Sequence, residues 1–358
     1  MRFTGKLSPM ALVLILGSTT AGLSQSGKPE TKPIPAPPPI TLPLASLVPD
    51  ATIELGGDRR IAATSDAVWV ASRASGDLIR IDPKTNVPDK PIPIGKEPCH
   101  SLIQAFKSLW TSLCGSGSLV RFDPPAPDAP PKDASSDKPA DKPADPSAPK
   151  KPKDPITLIT TAVHGAGPIV SATGSIWMIT NGGASLVRVD PDTNAVVAEV
   201  SLPATATAVA VSGDALWLVS SAKNLAIRIN GYSNVVEETV KVGPSPIAIA
   251  SGEGSVWTLN GGDGSLSRID PKTNKVTETI KAGIAGANGT ILVGEGSVWV
   301  STPGSPLARI DPRTNTLAQR FTGTGGGVLA LGLKAIWLAA TPTQIWRIDP
   351  KRVEATRK

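Results

Sequence analysis

Short runs of apolar residues alternate with polar ones along most of this chain, and the period is two, the spacing of a half-buried β-strand. One stretch shows the pattern cleanly: Pro246-Ile-Ala-Ile-Ala, Gly254-Ser-Val-Trp-Thr-Leu, Ser265-Leu-Ser-Arg-Ile-Asp and Lys275-Val-Thr-Glu-Thr-Ile-Lys, with turn residues between the pieces. It predicts four short strands joined by tight turns. The unit recurs. Trp69, Trp110, Trp177, Trp217, Trp257, Trp299 and Trp337 fall near 40 residues apart, except for one interval of 67. About ten residues after each Trp comes an Arg-x-Asp or its variant, from Arg80 with Asp82 to Arg347 with Asp349. Seven four-stranded units of this length predict an all-β protein, a seven-bladed β-propeller of antiparallel blades spanning residues 51–350.

The recurring residues have structural work to do. In Asp270-Pro-Lys-Thr-Asn274, Pro presets φ for a type I turn, Asp accepts backbone N–H groups and Asn tolerates the left-handed position that closes the loop. Each Trp sits on a second strand, where its large apolar surface fills the wedge between neighbouring sheets. The seventh unit has no fourth strand of its own. Ala51-Thr-Ile-Glu-Leu55 has the pattern of that missing strand, so the ring is expected to close by pairing the two ends of the repeat region, removing two open sheet edges.

The remaining segments lack the repeat. Arg2 and Lys6, the apolar run Leu7 to Leu16 and small residues through Ser24 have the three-part layout of a signal peptide over residues 1–24. The apolar run is too short for a permanent transmembrane anchor. Residues 25–49 are rich in Pro without apolar periodicity and read as an extended, disordered tether. The long Trp interval comes from residues 124–155, a Pro/Ala/Lys/Asp-rich insertion between the third and fourth strands of blade two. Residues 351–358 read as a basic tail. Much of the net charge of +6 belongs to the two ends, and no basic stripe interleaved with aromatics marks a nucleic-acid surface. The expected protein is a monomer, periplasmic or extracellular.

Candidate chemistry is sparse. Cys99 and Cys114 flank the first two strands of blade two, and in an exported chain they are expected to form a disulfide. The two histidines, His100 and His164, enter the first strands of blades two and three. Counted from the Trp of each unit, Arg59 and Asn288 fall at or next to the place of His100, so these four residues form a candidate polar ring around the axial mouth. Phosphate loops, nucleophile elbows and clustered carboxylates are absent from the sequence.

Units such as Gly254-Ser-Val-Trp, Arg268-Ile-Asp-Pro-Lys-Thr-Asn and Ile280-Lys-Ala-Gly resemble those of the YVTN-repeat propellers, which overlap with the streptogramin B (virginiamycin B) lyase-like group. That resemblance implies the propeller fold and an exported location. It also implies one possible activity, the opening of a cyclic lactone by a histidine-centred site assisted by a divalent metal such as Mg²⁺. Two functions are therefore carried forward. One is a non-enzymatic scaffold that binds a protein, peptide or glycan on its top face with no cofactor; the other is a metal-assisted lyase or hydrolase using His100 and His164.

Overall fold

The computed structural model describes residues 38–125, 154–160 and 165–357, and in it the chain forms seven antiparallel sheets. The segment read as a signal peptide, the first part of the expected tether, residues 126–153 of the expected insertion, Lys358 and His164 lie outside the described residues. The first strands of the blades are Arg59–Ala63, Pro98–Ala105, Ile169–Ala172, Ala208–Ser212, Pro246–Gly252, Thr290–Gly294 and Leu329–Gly332. Each packs against the first strand of the next blade, and the seventh packs against the first, so the inner strands form a closed circle. Blade five has the predicted order, Pro246–Gly252, Ser255–Asn260, Ser265–Asp270 and Lys275–Ile280, each strand antiparallel to its neighbour.

Ring closure follows the sequence expectation. Ala51–Glu54 pairs antiparallel with Gln344–Ile348, placing Ile53 opposite Ile345, and both side chains are buried. Two parts of the chain read as unstructured are folded. Ile40–Pro43, placed in the tether by its Pro content, pairs in parallel with Thr316–Thr322 and gives blade six a fifth strand. Leu44 and Leu47 follow it into a cluster with Phe321, Leu329 and Val353. Two leucines spaced three apart supply the apolar surface that the surrounding prolines lack. The basic tail likewise begins as a helix, Pro350–Ala355, with Asp349 accepting the Lys351 N–H at its N-cap, Pro at its start and Val353 buried.

Six of the repeat tryptophans are wholly buried, and Trp69 nearly so. Trp257 packs against Ile291, Val298 and Val300 of blade six, which is the wedge position between sheets. Opposite each Trp on the third strand stands the repeat Arg, as in Trp257 and Arg268. That guanidinium lies over the indole, with 4.8 Å from Arg268 Cζ to the Trp257 ring centre. It then reaches into the next blade: Arg268 donates to the carbonyl of Pro312 at 2.7 Å and to Asn315 Oδ1 at 2.8 Å. Arg121 grips Pro191, Arg228 grips Pro271 and Asn274, and Arg347 grips Pro83 and Asn86 across the ring closure in the same way. The gripped asparagines are in the left-handed conformation, with φ between 55° and 60° at Asn86, Asn194, Asn234, Asn274 and Asn315. Blades two, three, four, five and seven are thus each pinned to the hairpin turn of the following blade. These turns lie on the face opposite the axial mouth, and both ends of the insertion, Phe122 and Ile156 of blade two, are paired on that side.

Candidate functional site

Antiparallel order sends the first strand of every blade toward the axis from the same face, and there the seven blades enclose a cavity of about 720 Å³. Each blade contributes to its wall: Arg60, His100, Pro168, Thr207, Ile247, Asn288 and Gly326, in ring order. Ile61, Leu102, Ile249, Ile291 and Leu329 form an apolar floor. At blade seven the wall is backbone. Gly326 has φ +90°, and a Cβ there would stand 2.6 Å from Pro306 Cα, so only glycine lets the strand approach.

His100 and Asn288 both line this mouth, and a smaller cavity of about 260 Å³ opens beside His100 toward blades three and four. Arg59 does not line the mouth. It is 2% exposed and turns into the junction with blade seven, donating from Nε to the Gly57 carbonyl at 2.8 Å and from Nη2 to the carbonyls of Thr341 and Pro342. Its neighbour Arg60 faces the cavity instead. The count from the Trp is offset by a bulge in blade two. Cys99 pairs with Ser112 and Leu102 with Thr111, so His100 and Ser101 are additional residues in that strand. Counting from the Trp aligns His100 with Arg59, whereas pairing aligns Cys99 with Arg60, which stands opposite Ala71. A slip of one residue moves a strand side chain to the other face.

The bulge is held on one side by the Cys99–Cys114 disulfide, which the structure contains. His100 itself adopts φ +58°. Around it Arg60, Arg73 and Asp58 share one wall of the mouth. Arg60 donates to Asp58 at 2.6 Å, and Arg73 stands 3.6 Å from Asp58 and 3.9 Å from Glu97. Desolvation pushes the His100 imidazole below its ordinary value, and the charges of Arg60 and Arg73 push it the same way. Arg60, Arg73 and Asp58 are absent from the sequence-derived site. Arg60 was legible in principle from strand alternation; Arg73 and Asp58 lie in turns that carry no repeat signal.

Cys99, His100 and Cys114 bring ligand-type atoms within 4.8 Å of one another. Both sulfurs are bonded to each other, which leaves His100 as the only conventional donor of the three.

No family model matches the chain, and no curated protein matches it in sequence. Among solved structures, hydrazine synthase of Kuenenia stuttgartiensis is similar in part, at 16% identity and a TM-score of 0.45, over 50% of this chain and 56% of that one. The chain therefore spans little more than half the length of that relative. The class defined by strand pairing is a seven-bladed β-propeller.

Proposed function

We propose that this protein is an exported, non-enzymatic binding module that presents its axial mouth to a protein, peptide or glycan. The observation that carries the reading is the mouth: a pre-formed concave cavity, fed by all seven blades, with an apolar floor and a few polar groups on its wall. Export is supported by the disulfide, which suits an oxidising compartment, and by the N-terminal sequence pattern. No helix among the described residues is long and apolar enough to cross a membrane.

His100 on the mouth favours one second reading, the metal-assisted lyase or hydrolase. The surroundings of His100 speak against it, because a divalent ion there would meet Arg60 and Arg73. A thermal-shift titration with Mg²⁺, Ca²⁺, Mn²⁺ and Zn²⁺, run beside the His100→Ala/His164→Ala variant, separates the two. Binding to the native state raises the melting temperature with concentration. The binding-module reading expects the same response from both proteins; a rise in the wild type that the variant loses establishes the metal site and overturns it.

A further inference from the structure

Blade one crowds one corner of the mouth with guanidinium groups. Arg60 uses one nitrogen on Asp58 and on the carbonyl of Arg59. Arg73 is paired only at long range, 3.6 Å from Asp58 and 3.9 Å from Glu97, and makes no hydrogen bond to either, so the donors of its fork can still close on a ligand carboxylate. A planar, permanently charged fork of this kind matches a carboxylate in two-point geometry. On blade six, one blade removed from blade one around the ring, the side-chain amide of Asn288 also has no protein partner among the described residues, offering a donor and an acceptor to a peptide group. Ile61, Leu102 and Ile249 of the apolar floor line the same cavity.

Resting on the binding reading above, we propose that the mouth captures the C-terminal end of a polypeptide, with the free α-carboxylate on Arg73 and Arg60 and an apolar last side chain over the floor. Backbone-terminus capture is an established recognition mode. The lining favours a peptide over a glycan because it contains no Trp, Tyr or Phe, and the C–H faces of sugars are held by the negative face of an aromatic ring. An apolar floor instead rewards an aliphatic side chain removed from water.

The test is fluorescence anisotropy with labelled hexapeptides ending in Leu, Ile, Val or Ala, each made as the free acid and as the C-terminal amide. The expected result is binding of at least one free acid at least about tenfold tighter than its amide. Arg73→Ala should abolish that difference, Arg73→Lys should restore part of it, and Glu253→Ala, in a turn on the opposite face, should leave it intact. Equal binding of acid and amide overturns the carboxylate proposal while leaving the mouth as a binding site. Binding of an acidic oligosaccharide but of no peptide overturns the ligand class alone. If no peptide or oligosaccharide binds, the carboxylate proposal falls, and the wider binding reading is then judged independently by crosslinking from the mouth.

Discussion

In blades two, three and five the repeat arginine acts at three places at once: over its own blade's Trp, against the Ser at the start of the second strand, and on the turn of the following blade; in blades four and seven, where Ala215 and Ala335 replace that Ser, it keeps the other two. Arg268 shows all three, with Nε donating to Ser255 Oγ at 2.8 Å. The two arginines that leave the following blade's turn ungripped, Arg80 and Arg309, do so for a local reason. Arg80 faces the blade whose hairpin is replaced by the insertion, and it pairs with Asp89 of its own blade. Arg309 faces the blade closed by the N-terminal strand, and it pairs with Glu354 of the C-terminal helix at 2.9 Å. Arg268→Met is therefore expected to cost about 1.5–3 kcal/mol, and Arg80→Met, at an exposed pair, about 0–1 kcal/mol, measured by urea unfolding. Equal costs would mean that the inter-blade grip contributes nothing.

Aspartates in the hairpin turns make a second residue-scale prediction. Hydrogen bonds from backbone N–H groups hold Asp82, Asp190 and Asp270 below the ordinary carboxylate value of 3.8. A carboxylate depressed in the folded state takes up protons first in the unfolded chain. Its stabilisation is complete above the ordinary value and drains away as pH falls through 3.8 toward the lower folded values. Blade four supplies a natural control, because Asn230 accepts the N–H groups of Tyr232 and Ser233 without titrating. The Asp82→Asn/Asp190→Asn/Asp270→Asn variant should show a flatter fall in urea midpoint between about pH 5 and pH 3 than the wild type. An equally steep fall would assign acid sensitivity to other groups.

At the scale of elements, strands and turns were legible because seven copies repeat the same pattern, so alternation, Trp spacing and Asp-Pro-x-Thr-Asn turns reinforce one another. What occurs once was hidden. Ile40–Leu47 joins blade six through four residues of parallel pairing and two buried leucines, and its prolines mask the apolar signal. The C-terminal helix is a single turn and a half fixed by Asp349 and Val353. The site was partly legible for a related reason: His100 and Asn288 stand out as residue types, but residue counting from the Trp cannot see the bulge that offsets His100, so it points to Arg59 where Arg60 lines the mouth. Deleting residues 51–56 leaves the edge of Gln344–Ile348 unpaired and Ile345 uncovered, and should lower the melting temperature of the whole ring in one cooperative step. A truncated protein that melts like the intact one would contradict closure by this strand.

Seen as a whole, the molecule separates its two faces. The turns gripped by the repeat arginines and both ends of the insertion occupy one side, and the cavity with Arg60 and Arg73 at one corner occupies the other. Stability is thereby supplied by regular interactions away from the mouth, while residues in the mouth are free to differ from blade to blade, as Arg60, His100, Thr207 and Asn288 do. The same division explains why a repeat that defines the fold says little about the ligand. The measurement that tests this account most directly is site-specific photo-crosslinking in the native host, with a benzophenone side chain placed in turn at Asn288 in the mouth, at Glu295 on the opposite face and at Val197 on an outer strand. The account predicts a discrete adduct from position 288 and none from the other two; adducts from 295 or 197 with none from 288 would contradict it.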